Sequence, residues 1–292
     1  MFHRQLVRWI SNTALPRGKP FFAYVAPNAP HAHYDIPPDH KDDFTGVEAP
    51  RPPSFNEADV SDKPSYVANL APLTDDDVSR IDTRYQDRLK MTLGIDDIVK
   101  DVVDTLQSAG QLDNTYIIVT SDNGYEQGEH RITSGKVVPY EESIKEALYI
   151  RGPGIRAGTH VSQLALNTDL YETFADIAGT PEIKDGRSLL PLLKGQSPAW
   201  RNNILIESLV GGAKEGDEVP VPAYAGVRTD RYKYIEYHAT GEKELYDLAN
   251  DPYELNNLEK TQSSVDDSAL AAKLAALKTC SGQSCHDAED AP

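Results

Sequence analysis

The sequence predicts an α/β layered domain with a mostly parallel sheet flanked by helices, followed by a small antiparallel β subdomain with a C-terminal helix. Three observations carry that prediction. Short continuous apolar runs alternate with helix-periodic stretches over residues 1–200. Proline and glycine fall mostly between the apolar runs, as punctuation. Over residues 201–292 the alternation gives way to short β-prone pieces separated by turns.

In chain order, MFHRQLVRWISNTAL reads as an amphipathic helix, with Leu6, Ile10 and Leu15 on one broad face and basic residues between them. PFFAYVAP (20–27) is a continuous apolar run, expected as a strand buried on both faces. Residues 28–80 are rich in proline and aspartate with little periodicity, and are expected to form a long excursion over the surface. Leu89, Leu93, Val99, Val102 and Leu106 recur at helical spacing, so a long helix is expected over 81–106, broken by SAGQLDN. TYIIVT (115–120) and ALYIRGPG (147–154) follow as buried strands. NTDLYETFADIAG reads as a helix opened by an Asn167 or Thr168 cap and closed by Gly179. NILIES, AYAGVRT, YKYIEYH and ELYDL then supply the antiparallel sheet, and residues 267–278 its helix.

The chain has 292 residues, enough for one large domain or a large one plus a small one. Its net charge of −17 offers nothing to nucleic acid or to an anionic membrane, which need basic surface, and no apolar run reaches membrane-spanning length. Cys280 and Cys285 are close enough in sequence to close a small disulfide loop in an oxidising compartment. No second Cys or His pair accompanies them to make a zinc site.

Chemistry concentrates in YIIVTSDNGYEQGEH (116–130). In parallel α/β sheets ligands collect beyond the carboxyl ends of the strands, which is where Asp122 and Asn123 fall. A carboxylate beside an amide oxygen suits calcium or magnesium, and Gly124 allows a sharp turn. Taken alone, SDNG is also ordinary turn chemistry. Lys136 follows in SGKVVPYEES, and APNAPHAHYD places His31 and His33 past an apolar run. Gathered on one rim, an acid, an amide, a lysine and a histidine could hold a divalent metal and a tetrahedral oxyanion.

The order of PFFAYVAPNAPHAHYDIPP, RYQDRLKMTLGIDDIV, GQLDNTYIIVTSDNGYEQGEH, GKVVPYEESIKEALYIRGPGI and ELYDLANDPYELNNL resembles the C-terminal portion of a type I sulfatase. Among sulfatases it is most similar to the N-acetylglucosamine-6-sulfatase-like and arylsulfatase-like members. The resemblance implies an alkaline-phosphatase-like fold and hydrolysis of a sulfate monoester, on a sulfated sugar or an aryl sulfate, with one calcium ion. It implies that Asp122 and Asn123 are calcium ligands and that Lys136 binds the sulfate oxygens. By the same resemblance His31 contacts the ester and protonates the departing alkoxide, and His130 lies near the substrate. Glu126 stands where many relatives carry histidine, and His33 is given only a loop role.

The resemblance also exposes gaps. The family's nucleophile is a formylglycine made within C/S-x-P-x-R, and no such motif occurs in this chain. The family's earlier pair of aspartate ligands is missing too. The expectation is therefore a C-terminal portion, residues 1–200 belonging to the catalytic domain and 201–292 to a subdomain. The remaining calcium ligands would come from an N-terminal half, supplied by another chain if one exists. Such a portion would not turn over substrate by itself, and its full-length form would be secreted or periplasmic. Two other readings stay open: a non-catalytic binder of sulfated glycans, and a phosphodiesterase or phosphonate hydrolase of the same superfamily.

Overall fold

A computed structural model describes residues 2–209, 211, 219–261 and 265–291. In chain order its elements are helices α1 (Phe2–Trp9), α2 (Ser65–Ala68) and α3 (Asp75–Ser108), strand β1 (Ile117–Thr120), helix α4 (Glu141–Ile144), strand β2 (Leu148–Arg151), and helices α5 (Thr168–Ile177) and α6 (Leu190–Leu193). Strands β3 (Asn203–Ser208), β4 (Tyr224–Thr229), β5 (Tyr232–Tyr237) and β6 (Lys243–Asp247) follow, then helices α7 (Asp267–Leu277) and α8 (Gln283–Asp290). The chain divides into two compact units, one of residues 1–50, 75–118 and 150–153, the other of residues 51–74, 119–149 and 154–292.

In the first unit α3 is longer than the apolar spacing predicts. It begins at three successive acids, Asp75, Asp76 and Asp77, which favour the positive end of the helix dipole. Residues 34–50 run along it, tied by Ala49 N–H to Asp82 Oδ1 (2.8 Å) and by His40 between Asp43 and Asp97 (3.0 Å each). Carboxylates on both sides raise the His40 pKa, chiefly through the Asp97 hydrogen bond. After α1 the chain continues as a π-helical turn over Ile10–Ala14.

PFFAYVAP is not a strand. Among the described residues it joins no ladder, and Phe22 and Tyr24 are 65% and 83% exposed. A single extended segment leaves its own N–H and C=O groups without sheet partners, so apolar composition alone cannot make it a strand. Strands β1 and β2 pair in a two-stranded sheet and are half-buried or exposed rather than fully buried.

In the second unit β3–β4–β5–β6 is a sequential antiparallel meander. The period-2 alternation of its strands gives it two apolar faces. One face packs Ala225, Val227, Tyr234 and Leu245 against Leu270, Leu274 and Leu277 of α7. The other packs Ile235, Tyr237 and Tyr246 against Val60, Val67, Ile132, Val138 and Tyr140. The segment expected to lie on the surface is thus half core: Val60 and Val67 are buried, and residues 51–74 belong to this unit. Proline and aspartate set its turns, while its few apolar residues fill the sheet face.

Asn167 stands at the start of α5 but makes no side-chain cap; Gly179 follows the helix end in the left-handed region. The work at that end is done by Asp169, whose carboxylate accepts from Leu166 N and Arg187 N (2.7 Å each) and is bound on both oxygens by buried Arg201. Cys280 and Cys285 form a disulfide just before and within α8. Among the described residues no helix is long and apolar enough to cross a membrane.

Candidate functional site

Between β1 and β2 the chain leaves the sheet and returns, residues 121–147, and this excursion carries four of the five candidate residues. Its two arms are zipped by Gly124 N–H to Ser143 O, Tyr125 N–H to Glu142 O and Glu126 N–H to Gly135 O, all 2.8 Å. The approach is so close that a Cβ on Gly124 would lie 2.0 Å from Glu142 O, so the glycine of SDNG is required by contact rather than by a left-handed turn.

Asp122 and Asn123 lie just past the carboxyl end of β1. The Asp122 carboxylate is exposed and has no partner among the described residues; its backbone oxygen accepts from Asn167 Nδ2 at 3.3 Å. Asn123 spends its amide nitrogen on Gly124 O (2.7 Å), which leaves Oδ1 unengaged among the described residues. Glu146, which sequence reasoning passed over, belongs with them. Burial raises its pKa first, and the negative charge of Asp122 raises it further, against a hydrogen bond from Asn167. Carboxylate and amide oxygens are the donor chemistry calcium takes. The number is short: calcium takes roughly six to eight oxygens, and no cluster of three or more acidic, His or Cys ligands exists among the described residues. The residues fit part of a calcium shell.

Lys136 sits on the return arm, one residue past the Glu126–Gly135 bridge, half-buried and without a hydrogen bond or ion pair among the described residues. The backbone around it is strained. Val137 has φ 76°, and His130 and Arg131 have φ 49° and 65°. A β-branched residue in the left-handed region is held there only by its surroundings, and such residues concentrate at sites that bind or react.

His130 is fully buried. Its Nδ1 lies 2.7 Å from Glu57 Oε2, its ring stacks on Tyr140 with centroids 4.1 Å apart, and its Nε2 has no partner among the described residues. Glu57 is in turn bound through Oε1 by buried Lys63 Nζ at 3.1 Å. Arg131 fixes the same segment by donating to Glu57 O, Ala58 O and Leu70 O. The Lys63–Glu57–His130 chain was illegible in the sequence, because both partners come from the aperiodic 28–80 stretch.

Glu126 is also fully buried, with neither carboxylate oxygen hydrogen-bonded among the described residues. Burial pushes its pKa well above the ordinary carboxylate range. The charges of Glu142, Glu129 and Glu254 add to the push and Lys233 opposes it. Burial likewise raises Glu129.

His31 stands in the first unit. It is exposed, and its N–H donates to Asn28 O (2.8 Å) in the turn that holds the cis Ala29–Pro30 bond; His33 is exposed at φ 66°. The excursion thus carries Asp122, Asn123, His130 and Lys136 within the second unit, while His31 belongs to the other.

Comparison with known proteins gives these residues a setting. The family described as Sulfatase matches residues 2–180, and one described as N-sulphoglucosamine sulphohydrolase, C-terminal, matches 128–279. The N-acetylglucosamine-6-sulfatase of Bos taurus is 33% identical over 299 residues, spanning 91% of this chain and 53% of that protein. The arylsulfatase of Volvox carteri is 33% identical over 94% of this chain and 50% of its own. The chain thus spans about half the length of the curated relatives it matches. A solved structure described as in complex with its substrate D-glucosamine-2-N,6-O-disulfate superposes with a TM-score of 0.79 at 24% identity, over 99% of this chain and 70% of that one. The phosphonate monoester hydrolase of Agrobacterium radiobacter superposes at 0.74, also at 24% identity, over 94% of this chain and 59% of that one. These likenesses show the alkaline-phosphatase-like α/β fold.

Proposed function

Because this chain belongs to the sulfatase family, we propose that it is the C-terminal portion of a sulfuric ester hydrolase that cleaves a sulfate monoester to alcohol and sulfate. Residues 1–200 then belong to the catalytic domain and 201–292 to its small subdomain. The observation that carries the reading is the zipped excursion, which holds two oxygen donors at a strand end and a lysine one residue past its inner bridge, all without side-chain partners for those atoms among the described residues.

Each residue's part follows from its chemistry. Lys136 places a positive charge against the nonbridging oxygens, where charge accumulates as the ester breaks. Asp122 and Asn123, with Glu146 beside them, would contribute oxygens to a calcium ion, which when bound supplies further positive charge to the sulfate. His31 would give its proton to the departing oxygen. His130, oriented by Glu57, would offer Nε2 towards the substrate. The substrate class follows the relatives: a sulfated sugar, glucosamine 6-sulfate first, or an aryl sulfate.

The nucleophile is not in this chain, which has no C/S-x-P-x-R. The test is an assay with 4-nitrophenyl sulfate and calcium, on the chain alone and co-expressed with the N-terminal half of a sulfatase. No turnover alone, turnover in the pair, and its loss with Lys136→Ala are expected. Robust hydrolysis by the chain alone would overturn the assignment of the nucleophile. Faster turnover of an aryl phosphonate or phosphodiester than of the sulfate by the pair would move the assignment to the phosphonate hydrolases that share the fold.

A further inference from the structure

The segment DPYELNN, residues 251–257, has no role in the function proposed above, yet its contacts lead to both halves of the site. Asp251 folds it: its carboxylate accepts from Leu255 N at 3.0 Å and from Asn256 N at 2.8 Å. Inside that turn Glu254 takes the left-handed conformation at φ 55° and is fully buried, an arrangement that costs on the order of 1–3 kcal/mol and persists only where the surroundings impose it.

From this turn two arms reach outward. In the first, Glu254 Oε2 accepts from the backbone N–H of Glu141 at 2.8 Å. Glu141 opens α4 and ends the strained run that carries Lys136 and Val137. Buried Lys233 lies between the two acids, 2.5 Å from Glu254 Oε1 and 3.3 Å from Glu141 Oε1. In the second arm, Leu255 O accepts from Lys63 Nζ at 2.8 Å, and Asn257 N–H donates to Asp62 Oδ2 at 2.6 Å. Lys63 holds Glu57, and Glu57 holds His130 Nδ1.

We infer that the 251–257 turn is the shared anchor of the candidate site, with Glu254 the positioning residue for the Lys136 run and Leu255, through Lys63 and Glu57, the positioning contact for His130. Glu254 touches neither sulfate nor Lys136; it fixes the end of the segment on which Lys136 stands. The backbone strain at Val137 needs such an external hold, because nothing in a β-branched residue favours φ 76°. The naming of Lys136 and His130 as site residues rests on the function proposed above; the anchoring does not.

Hydrogen exchange on the full chain tests it. Glu254→Gln keeps the volume but weakens both parts of the hold: it removes the charge that keeps Lys233 between the turn and Glu141, and it turns a charge-assisted acceptor for Glu141 N–H into a neutral one. Backbone amides of 130–141 should exchange about tenfold faster, while those of β4 and β5 stay within about twofold of the wild type. Lys63→Met should leave the Lys136 run protected and shift the imidazole 15N resonances of His130, whose tautomer Glu57 sets. If Glu254→Gln is too unstable to measure, Glu254→Asp, still charged but too short for the Glu141 amide, should give the same local change. Exchange that rises uniformly across the meander, or that changes nowhere, overturns the anchor. A titration with inorganic sulfate, read at the Gly135–Val137 amides, separates the two proposals. A wild type indifferent to sulfate counts against Lys136 as the sulfate-binding residue, and the exchange pattern still judges the anchor.

Discussion

Glu244 and Glu126 are equally buried and oppositely treated. Glu244, on β6, is surrounded by phenols. Tyr140 and Tyr246 donate to its Oε1 at 2.9 and 2.6 Å, Tyr237 donates to its Oε2 at 2.6 Å, and Tyr66 meets Tyr237 hydroxyl to hydroxyl at 3.0 Å. Glu126, in the excursion, receives nothing on either oxygen among the described residues. A buried polar group with all its bonds made fixes one arrangement of the core; one with none is a standing cost. The first belongs to the rigid meander, the second to the part of the molecule where the site residues lie.

The largest expected effect is at Glu244. Glu244→Leu strands three buried hydroxyls and should cost roughly 3–5 kcal/mol in urea unfolding; a loss near zero would break the comparison. Glu126→Leu should act in the opposite direction and stabilise the chain at pH 7 by about 1–3 kcal/mol, since it removes a buried group that no partner satisfies. A destabilised Glu126→Leu would mean that its oxygens are satisfied in solution.

The pH dependence sharpens the same contrast. Glu126 is raised in the folded state, so above the unfolded carboxylate range the unfolded chain gives up a proton that the folded chain keeps. Stability from this group is therefore present at low pH and falls as pH rises towards its folded value, by at most about 1.4 kcal/mol per pH unit. Glu254, pushed up to about 7 by burial against the pull of Lys233, adds the same sign between the ordinary glutamate range and pH 7. Unfolding measured from pH 4.5 to 7 should show a shallower decline in Glu126→Leu than in the wild type. The phenols give the same sign at the alkaline end. Burial first and the Glu244 charge second hold Tyr140, Tyr237 and Tyr246 well above 10, so their contribution is lost only above pH 10. The smallest effect is at the edge of the cluster: Tyr66→Phe deletes one hydroxyl contact and should cost about 1 kcal/mol by thermal melting.

What could be read from the sequence followed from local pattern. α3 announced itself by the spacing of its apolar residues, the four strands of the meander by short β-prone runs between turns, α5 by its flanking Asn-Thr and glycine, and α7 by its alanine- and leucine-rich run. PFFAYVAP misled for the same reason: apolar content signals burial, but a strand also needs a ladder partner, which no local pattern encodes. The oxygen donors of SDNG could be named from their chemistry. The partners of His130 and of the Lys136 run could not, since Glu57 is 73 residues from His130 and Glu254 is 113 from Glu141. Nor does anything about Val137 advertise a left-handed backbone.

The sheet order described above has a kinetic side. Every strand of the meander pairs with its successor, so the sheet can zip from short-range contacts, whereas the bond from Lys63 to Leu255 closes a span of 192 residues. Entropy of closure rises with span, and contacts of long span form late. In a refolding trace, tyrosine signals from the meander should mature before the environment of His130 does, leaving the Lys63–Glu57–His130 chain as the last part to set.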